Sequence, residues 1–328
     1  MEEKKILITG VSGFIGWAIA ESLAVDGYQV RGLSRTPPKD IKSNIIKYIK
    51  GDISKSEDVE QAAEGCGAII NAATLYQSRK NSFDDLKSTN IKGPSNVIET
   101  AIKYGIPKVV HLSTCGIFAR NAAFPLYEDS KIDPGATDIY ERSKCLGEKA
   151  IMTRAEKSNT TLVVLRPTTV YGRGDMRLLK LFQLISKRRF FYIGKGLNVI
   201  QPLFITDFVD CVKRVLDVTR KNSLYLIAGP QAVSLKEWVE MISSCFNIKP
   251  PGLHIPAFPL TLLTSSLEMI SNKLGVFCPM YRGRLDFFLR SMTCNTSLIS
   301  KEVGWQPCVD VSEGTNKTVE SYKEAGFI

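Results

Sequence analysis

Tyr140 and Lys144 stand four residues apart in the segment DIYERSKCLGEKA. On a helix that spacing puts both side chains on one face. A free phenol, with a pKa of about 10, is a poor base at neutral pH. A nearby ammonium favours the phenolate and lowers that value. A tyrosine tuned in this way takes the proton of a secondary alcohol or returns it to a ketone. The accompanying hydride needs a carrier, and the chain offers a place for one. Thr9-Gly10-Val11-Ser12-Gly13-Phe14-Ile15-Gly16 lies between the apolar run Ile6–Thr9 and an amphipathic stretch. Glycine permits a tight turn there and lets a pyrophosphate approach the N-terminus of the following helix. Placed between a strand and a helix, the triplet reads as a dinucleotide turn made by Gly10, Ser12, Gly13, Phe14, Ile15 and Gly16.

The next apolar run bears on which dinucleotide. An NAD site usually carries an acidic residue about 20 residues after the glycines. Here the run ends Arg31-Gly32-Leu33-Ser34-Arg35 with no carboxylate. The Arg35 guanidinium, with Lys39 close behind, suits the 2′-phosphate of NADP. The same guanidinium also suits stacking on the adenine of NAD.

These residues need a scaffold, and the first half of the chain alternates strand and helix patterns. Strands are expected at Lys5–Thr9, Gln29–Leu33, Ile45–Ile49, Ala68–Asn71, Lys108–Ser113 and Thr161–Arg166. Helices are expected at Ile15–Asp26, Ser56–Ala63, Ser82–Tyr104 and Asp138–Lys157. The alternation predicts an α/β fold with a parallel sheet covered on both faces, a doubly wound Rossmann-type sheet. A dinucleotide-binding domain over residues 1–171 and a smaller C-terminal substrate-binding lobe over 172–328 follow. Helix Met176–Arg188 opens the lobe, while Leu203–Asp217 and Leu224–Ala228 read as elements returning to the main domain. Leu260, Leu263, Leu267, Ile270 and Leu274 make an apolar helical seam, open to use as core, pocket, interface or membrane-facing surface.

Composition removes several alternatives. The 328 residues are 44% hydrophobic and 23% charged, enough for a large core. No apolar run reaches the roughly 18 residues of a spanning helix, so a cytoplasmic protein is expected. Eight cysteines lack CxxC spacing and the two histidines, His111 and His254, are far apart; reduced buried thiols and no metal site are expected. His111, in KVVHLST, reads as a packed strand residue. The net charge of +10 suits an anionic ligand such as a phosphorylated dinucleotide, and equally an ordinary lysine-rich surface. Lys187-Arg188-Arg189 reads as a solvated helix end, and nothing points to nucleic acid.

In this order and spacing the motifs resemble the extended short-chain dehydrogenase/reductase family over nearly the whole chain. Beyond the glycine turn, Gly51-Asp52-Ile53 resembles the family's adenine-contacting pair, and Asn71-Ala72-Ala73 the turn after its fourth strand. Ser113-Thr114-Cys115-Gly116-Ile117-Phe118-Ala119 resembles SSxxVYG, and Tyr140 with Lys144 is YxxxK. Arg166-Pro167-Thr168-Thr169-Val170-Tyr171-Gly172 resembles RPxxVYG, whose early residues approach the nicotinamide amide. The resemblance implies that Thr114 polarises the substrate oxygen, Tyr140 transfers the proton, and Lys144 tunes Tyr140 and holds the nicotinamide ribose. It implies a cofactor set of the glycine turn, Arg35, Asp52, Ile53, Asn71, Ala72, Ala73, Tyr140, Lys144, Pro167 and Val170. Asn90 is either structural or part of a proton relay. A homodimer built on Ser82–Tyr104 and Asp138–Lys157 is a further implication.

The branch of the family sets the substrate expectation. Many nucleotide-sugar epimerases carry an asparagine where Thr169 stands, and an arginine for the substrate diphosphate where Ile200 stands. Gly194–Asn198 followed by Leu203-Phe204-Ile205-Thr206-Asp207 resembles the 3β-hydroxysteroid dehydrogenase-like branch, and Val30–Arg35 the dihydroflavonol-reductase-like one. An apolar, sterol-like or polycyclic substrate is expected. A nucleotide-sugar epimerase or reductase is the alternative, and a catalytically silent cofactor sensor a third reading.

Overall fold

Seven parallel strands form one sheet in the computed structural model of the chain, which describes residues 5–38, 45–76, 81–136, 138–261, 264 and 282–328. They are β1 (Lys5–Thr9), β2 (Gln29–Ser34), β3 (Ile46–Lys50), β4 (Ala68–Asn71), β5 (Lys108–Leu112), β6 (Thr161–Pro167) and β7 (Ser223–Ile227). Their order across the sheet is β7-β6-β5-β4-β1-β2-β3. The winding reverses between β1 and β4, and a doubly wound sheet opens its ligand crevice at that point.

The first half follows the expected alternation. Helices α1 (Phe14–Val25), α2 (Ser56–Ala63), α3 (Phe83–Lys87), α4 (Gly93–Lys103) and α5 (Ile139–Ala155) cover both faces. Side chains alternate across each strand. Ile6 and Ile8 join Ile19 and Leu23 of α1 in one core, while Leu7 and Ile69 join Val59, Val97 and Ile151 in the other. Both faces of the central strands are therefore apolar, and those strands read as continuous β-branched runs, whereas the edge strand β3 (IKYIK) keeps exposed lysines.

One expected element is broken. Ser82–Tyr104 is not a single α-helix, because a wide π-helical turn, Ser88–Lys92, separates α3 from α4. Pro94 lacks the N–H that a regular helix would aim at the carbonyl of Asn90. That carbonyl lies against α5, where a β-carbon on Gly147 would sit 1.9 Å from it. Only glycine permits this approach, which brings the turn against the helix carrying Tyr140 and Lys144.

The second half is stitched into the first. Helices α6 (Leu179–Ser186), α7 (Ile205–Val215), α8 (Leu235–Ser244), α9 (Arg282–Leu289), α10 (Ser297–Val303) and α11 (Val311–Glu324) follow. Helix α6 starts at Leu179 rather than Met176 because the Asp175 carboxylate takes the Arg177 N–H. Strand β7 pairs with β6 along Val163–Pro167, and α7 packs on α1, so both returning segments rejoin the sheet. One core runs from the α1 face of the sheet through Phe182, Trp238, Trp305 and Tyr322. Asp207 fastens the C-terminal segment by accepting from the N–H groups of Cys308 and Val309 at 3.0 and 2.9 Å.

Of the apolar seam, Leu260 is half-buried in a short helix at 257–261; Leu263, Leu267, Ile270, Leu274 and also Lys39 lie outside the described residues. No described helix is long and apolar enough to cross a membrane.

Candidate active site

The glycine turn is shaped by two close backbone approaches. Gly10 has φ +73°, and a β-carbon there would lie 2.6 Å from the Cα of Ala73. A β-carbon on Gly16 would lie 2.3 Å from the Gly10 carbonyl oxygen. The end of β1 thus rests directly on the end of β4, and α1 starts without a side-chain cap. Its first-turn N–H groups remain available to an anion. Together these features fit a dinucleotide diphosphate.

A cleft of ≈ 1510 Å³ opens above this turn. Gly10, Ser12, Gly13, Phe14, Ile15, Gly16, Arg35, Asp52, Ile53, Ala72 and Ala73 all line it. Arg35 is exposed at the end of β2. Asp52 lines the cleft while its carboxylate caps the next turn, accepting from the Ser54 N–H at 2.9 Å.

Asn71 lies beneath the cleft floor instead. Its carboxamide oxygen accepts from the Thr9 hydroxyl at 2.7 Å, which turns its nitrogen towards His111 Nδ1 at 3.0 Å. The imidazole proton then sits on Nε2, which has no hydrogen-bond partner. Burial, and then the Lys144 charge, push the His111 pKa well below the usual range, so the ring is neutral. His111 is the packed strand residue expected, and part of a polar row Thr9–Asn71–His111 across three strands. Thr114, Tyr140, Lys144, Pro167 and Val170 are also absent from the cleft wall.

The α5 site lies behind that wall. Asp138 caps α5 by accepting from the N–H groups of Tyr140 and Glu141 at 2.9 and 3.0 Å. One turn on, Lys144 is 3% exposed and donates to the Leu112 carbonyl at 2.7 Å, two residues before Thr114. Burial pulls its ammonium down to about 8, against the opposing effect of Glu148. Thr114 Oγ1 accepts from the Gly116 N–H at 3.1 Å. Strand β5 and helix α5 thereby bring Thr114, Tyr140 and Lys144 to one corner.

The expected lowering of the Tyr140 pKa is not met in this ligand-free arrangement. Burial pushes its hydroxyl well above the usual value, and the neighbouring Tyr76 phenol raises it further; Arg177 and Thr74 act in the opposite sense. Lys144 is not among the groups acting on it; its ammonium is directed at the Leu112 carbonyl. Tyr76 is stacked on Tyr140 with ring centroids 4.7 Å apart. Arg177 donates to the Tyr76 hydroxyl at 3.1 Å and to Asp175 Oδ1 at 2.9 Å. Tyr76 and Arg177 face the cleft and screen Tyr140 from it. No spacing rule flags either residue, since each meets the site only through folding.

Asn90 is a clamp. Its oxygen accepts from the Leu75 N–H at 2.8 Å, and its nitrogen donates to the Leu75 carbonyl and Ser143 Oγ, both at 2.9 Å. These bonds fix the loop after β4, just before Tyr76, against α5.

A charged cluster missed by spacing lies on the far side of Thr114. Arg120 pairs with Asp286, and Arg290 Nη1 lies 3.5 Å from Glu141 Oε1. Burial, reinforced by Asp138, raises the Glu141 carboxyl to about 8. Its sequence neighbour Tyr140 is the only linear hint of this cluster. Close by, Cys115 and Cys294 hold their thiols 3.3 Å apart as free cysteines.

A sheet wound 3-2-1-4 with a glycine turn at the switch point and a Tyr–Lys pair beside it defines an NAD(P)-binding Rossmann enzyme of the extended short-chain dehydrogenase type. Residues 6–228 match the NAD-dependent epimerase/dehydratase family, and the chain belongs to it. It is 28% identical to a 2-alkyl-3-oxoalkanoate reductase of Stenotrophomonas maltophilia, over 95% of this chain and 98% of the relative. It is 25% identical to the mouse sterol-4-alpha-carboxylate 3-dehydrogenase, decarboxylating, over 97% and 91%. Among solved structures, UDP-glucose 4-epimerase from Thermotoga maritima superposes with a TM-score of 0.81 at 19% identity, covering 98% of this chain and 99% of that one.

Proposed function

We propose that this chain is an NADP-dependent oxidoreductase that interconverts a secondary alcohol and a ketone on a largely apolar substrate carrying a carboxylate two carbons from the reacting oxygen's carbon or closer. The observation that carries the reaction is the corner at the ends of β5 and α5. Lys144, held by Leu112, lies one turn from Tyr140, with Thr114 at the end of the strand it grips.

The nicotinamide supplies or accepts the hydride when it is bound. Thr114 donates a hydrogen bond to the substrate oxygen. Tyr140 is protonated in the arrangement described, the form that can give a proton to a ketone oxygen. Alcohol oxidation requires the reverse transfer, and so needs Tyr76 to leave the Tyr140 ring and the Lys144 ammonium to approach it. Arg35 supports NADP, since it is exposed on the cleft at the end of β2 and no acid stands on that strand end.

The substrate class rests on two supports. The position of the expected diphosphate-binding arginine is filled by Ile200, buried and bridged to Met292 and Val233, so no cation is offered there. The names of two relatives covering nearly the whole chain describe a 3-oxo acid and a sterol with a 4-carboxylate beside C3. Both place a carboxyl group near an oxygen-bearing carbon on an apolar body.

The direct check is Tyr140→Phe. Turnover is expected to fall by about 10²–10⁴ while NADP affinity, read by fluorescence titration, changes little. Near-normal turnover in that variant would remove Tyr140 from the chemistry.

A further inference from the structure

We propose that Glu141, which lies against Gly116 beside Thr114, and Arg290 behind it form a subsite for the substrate carboxylate. This rests on the functional reading above and assigns its anion to particular residues.

Position comes first. A β-carbon on Gly116 would lie 3.4 Å from both Thr114 Oγ1 and Glu141 Oε1. Thr114 and Glu141 therefore flank one small space, which glycine leaves unfilled. In a 3-hydroxy or 3-oxo acid the carboxyl carbon is separated from the oxygen-bearing carbon by a single atom. A substrate oxygen on Thr114 would put its carboxylate within reach of that space.

The state of Arg290 supplies the second argument. Its side chain is 9% exposed. One nitrogen, Nη2, donates to the carbonyls of Phe118 and Ala119, at 2.7 and 3.4 Å. Nε and Nη1 have no hydrogen-bond partner. A buried guanidinium with unused donors is costly, and a carboxylate oxygen would take the unused N–H of Nη1 on the side that faces Glu141.

The surrounding charges leave room for an added anion. Arg120 and Asp286 neutralise each other, and Asp138 is committed to the first N–H groups of α5. Among the described residues Glu141 is the carboxyl beside Nη1 of Arg290, and burial with the Asp138 charge raises it to about 8, which favours its protonated form at pH 7. It can then donate an O–H to an incoming carboxylate instead of competing with it. A purely structural Arg290–Glu141 tie between α9 and α5 would not distinguish acids from esters.

The test compares 2-decyl-3-hydroxytetradecanoic acid with its methyl ester, using NADP and the full-length protein. Wild type should prefer the acid. Arg290→Gln should cut the acid-to-ester ratio of kcat/KM by about thirtyfold or more. Arg290→Lys, which keeps the charge but loses the fork, should fall between the two. Glu141→Gln, which preserves a neutral donor, should hold the ratio within about threefold of wild type. If Arg290→Gln lowers acid and ester turnover alike, the subsite assignment is wrong.

A second readout separates this from the functional reading. If wild type turns over neither compound, that reading fails, and the subsite is judged by thermal shift with NADP present. Stabilisation by the acid that disappears in Arg290→Gln supports the subsite; no stabilisation by the acid overturns it.

Discussion

The cofactor cleft and the Thr114 corner are built from different materials. In the cleft, shape comes from backbone: a β-carbon on Gly10 or Gly16 would lie 2.6 or 2.3 Å from neighbouring backbone, so only glycine allows these approaches. At the corner, function depends on side chains from well-separated segments, with Arg120 and Glu141 meeting Asp286 and Arg290 of the α9 region. The first kind of site tolerates almost no change in residue type but asks little of distant sequence. The second asks for a whole fold before any pair meets. Tyr76 and Arg177 form the wall between them, so in the ligand-free protein the two sites are adjacent but separate.

The difference can be challenged first where it is largest. Gly16→Ala should abolish NADP binding, with affinity falling by more than about a hundredfold, because the added carbon meets the backbone of Gly10 and no flexible group can yield. Titration of cofactor fluorescence reads this, with circular dichroism as the check on folding. Retained affinity would mean that the turn does not define the cleft.

A smaller effect sharpens the cofactor side. Arg35→Ser should move the NADP-to-NAD ratio of kcat/KM by about tenfold towards NAD, the scale of one charge-assisted contact to phosphate. An unchanged ratio would leave Arg35 as an adenine-stacking group.

The smallest effect concerns the corner and is a matter of sign. Glu141 has an ordinary carboxyl value of 4.5 when exposed and about 8 when folded. Between those values the folded protein retains a proton that the unfolded chain has released. Stability from this group is therefore present below pH 4.5 and lost as pH rises towards 8. Glu141→Gln lacks that loss, so its Tm relative to wild type should climb from pH 5 to pH 8 and level off above. Lys144, lowered to about 8 from 10.5, acts in the opposite sense and only above pH 8. A Tm difference flat across pH 5–8 would show that Glu141 is ionised and paired with Arg290.

The same contrast explains what could be read without the fold. The glycine turn, the strands ending near Leu33 and Asn71, and the helix carrying Tyr140 and Lys144 are local, so their places follow from periodicity and chain order. Helix Ser82–Tyr104 was legible as one segment; Pro94 marks where its ladder fails, but the close approach of Gly147 to the Asn90 carbonyl comes from another helix and was not legible. The rise in the Tyr140 pKa was also hidden: it comes from burial and then from Tyr76, which meets the ring only through folding. Arg290 and Arg177 carry no motif. Their meaning lies in what they touch, which depends on the path of the second half of the chain back onto the first.

The central claim, alcohol–ketone chemistry on an apolar acid and not on a sugar nucleotide, is tested most directly by one plate of initial rates. Wild type is incubated with NADP and either 2-alkyl-3-hydroxy acids, 3-hydroxysteroid 4-carboxylates or UDP-, GDP- and dTDP-sugars, and NADPH formation is followed alongside Tm. The account predicts NADPH formation with members of the first two groups, its loss in Tyr140→Phe, and no shift in Tm with the nucleotides. Silence with every acid and steroid, together with stabilisation or epimerisation of a nucleotide sugar, would contradict it.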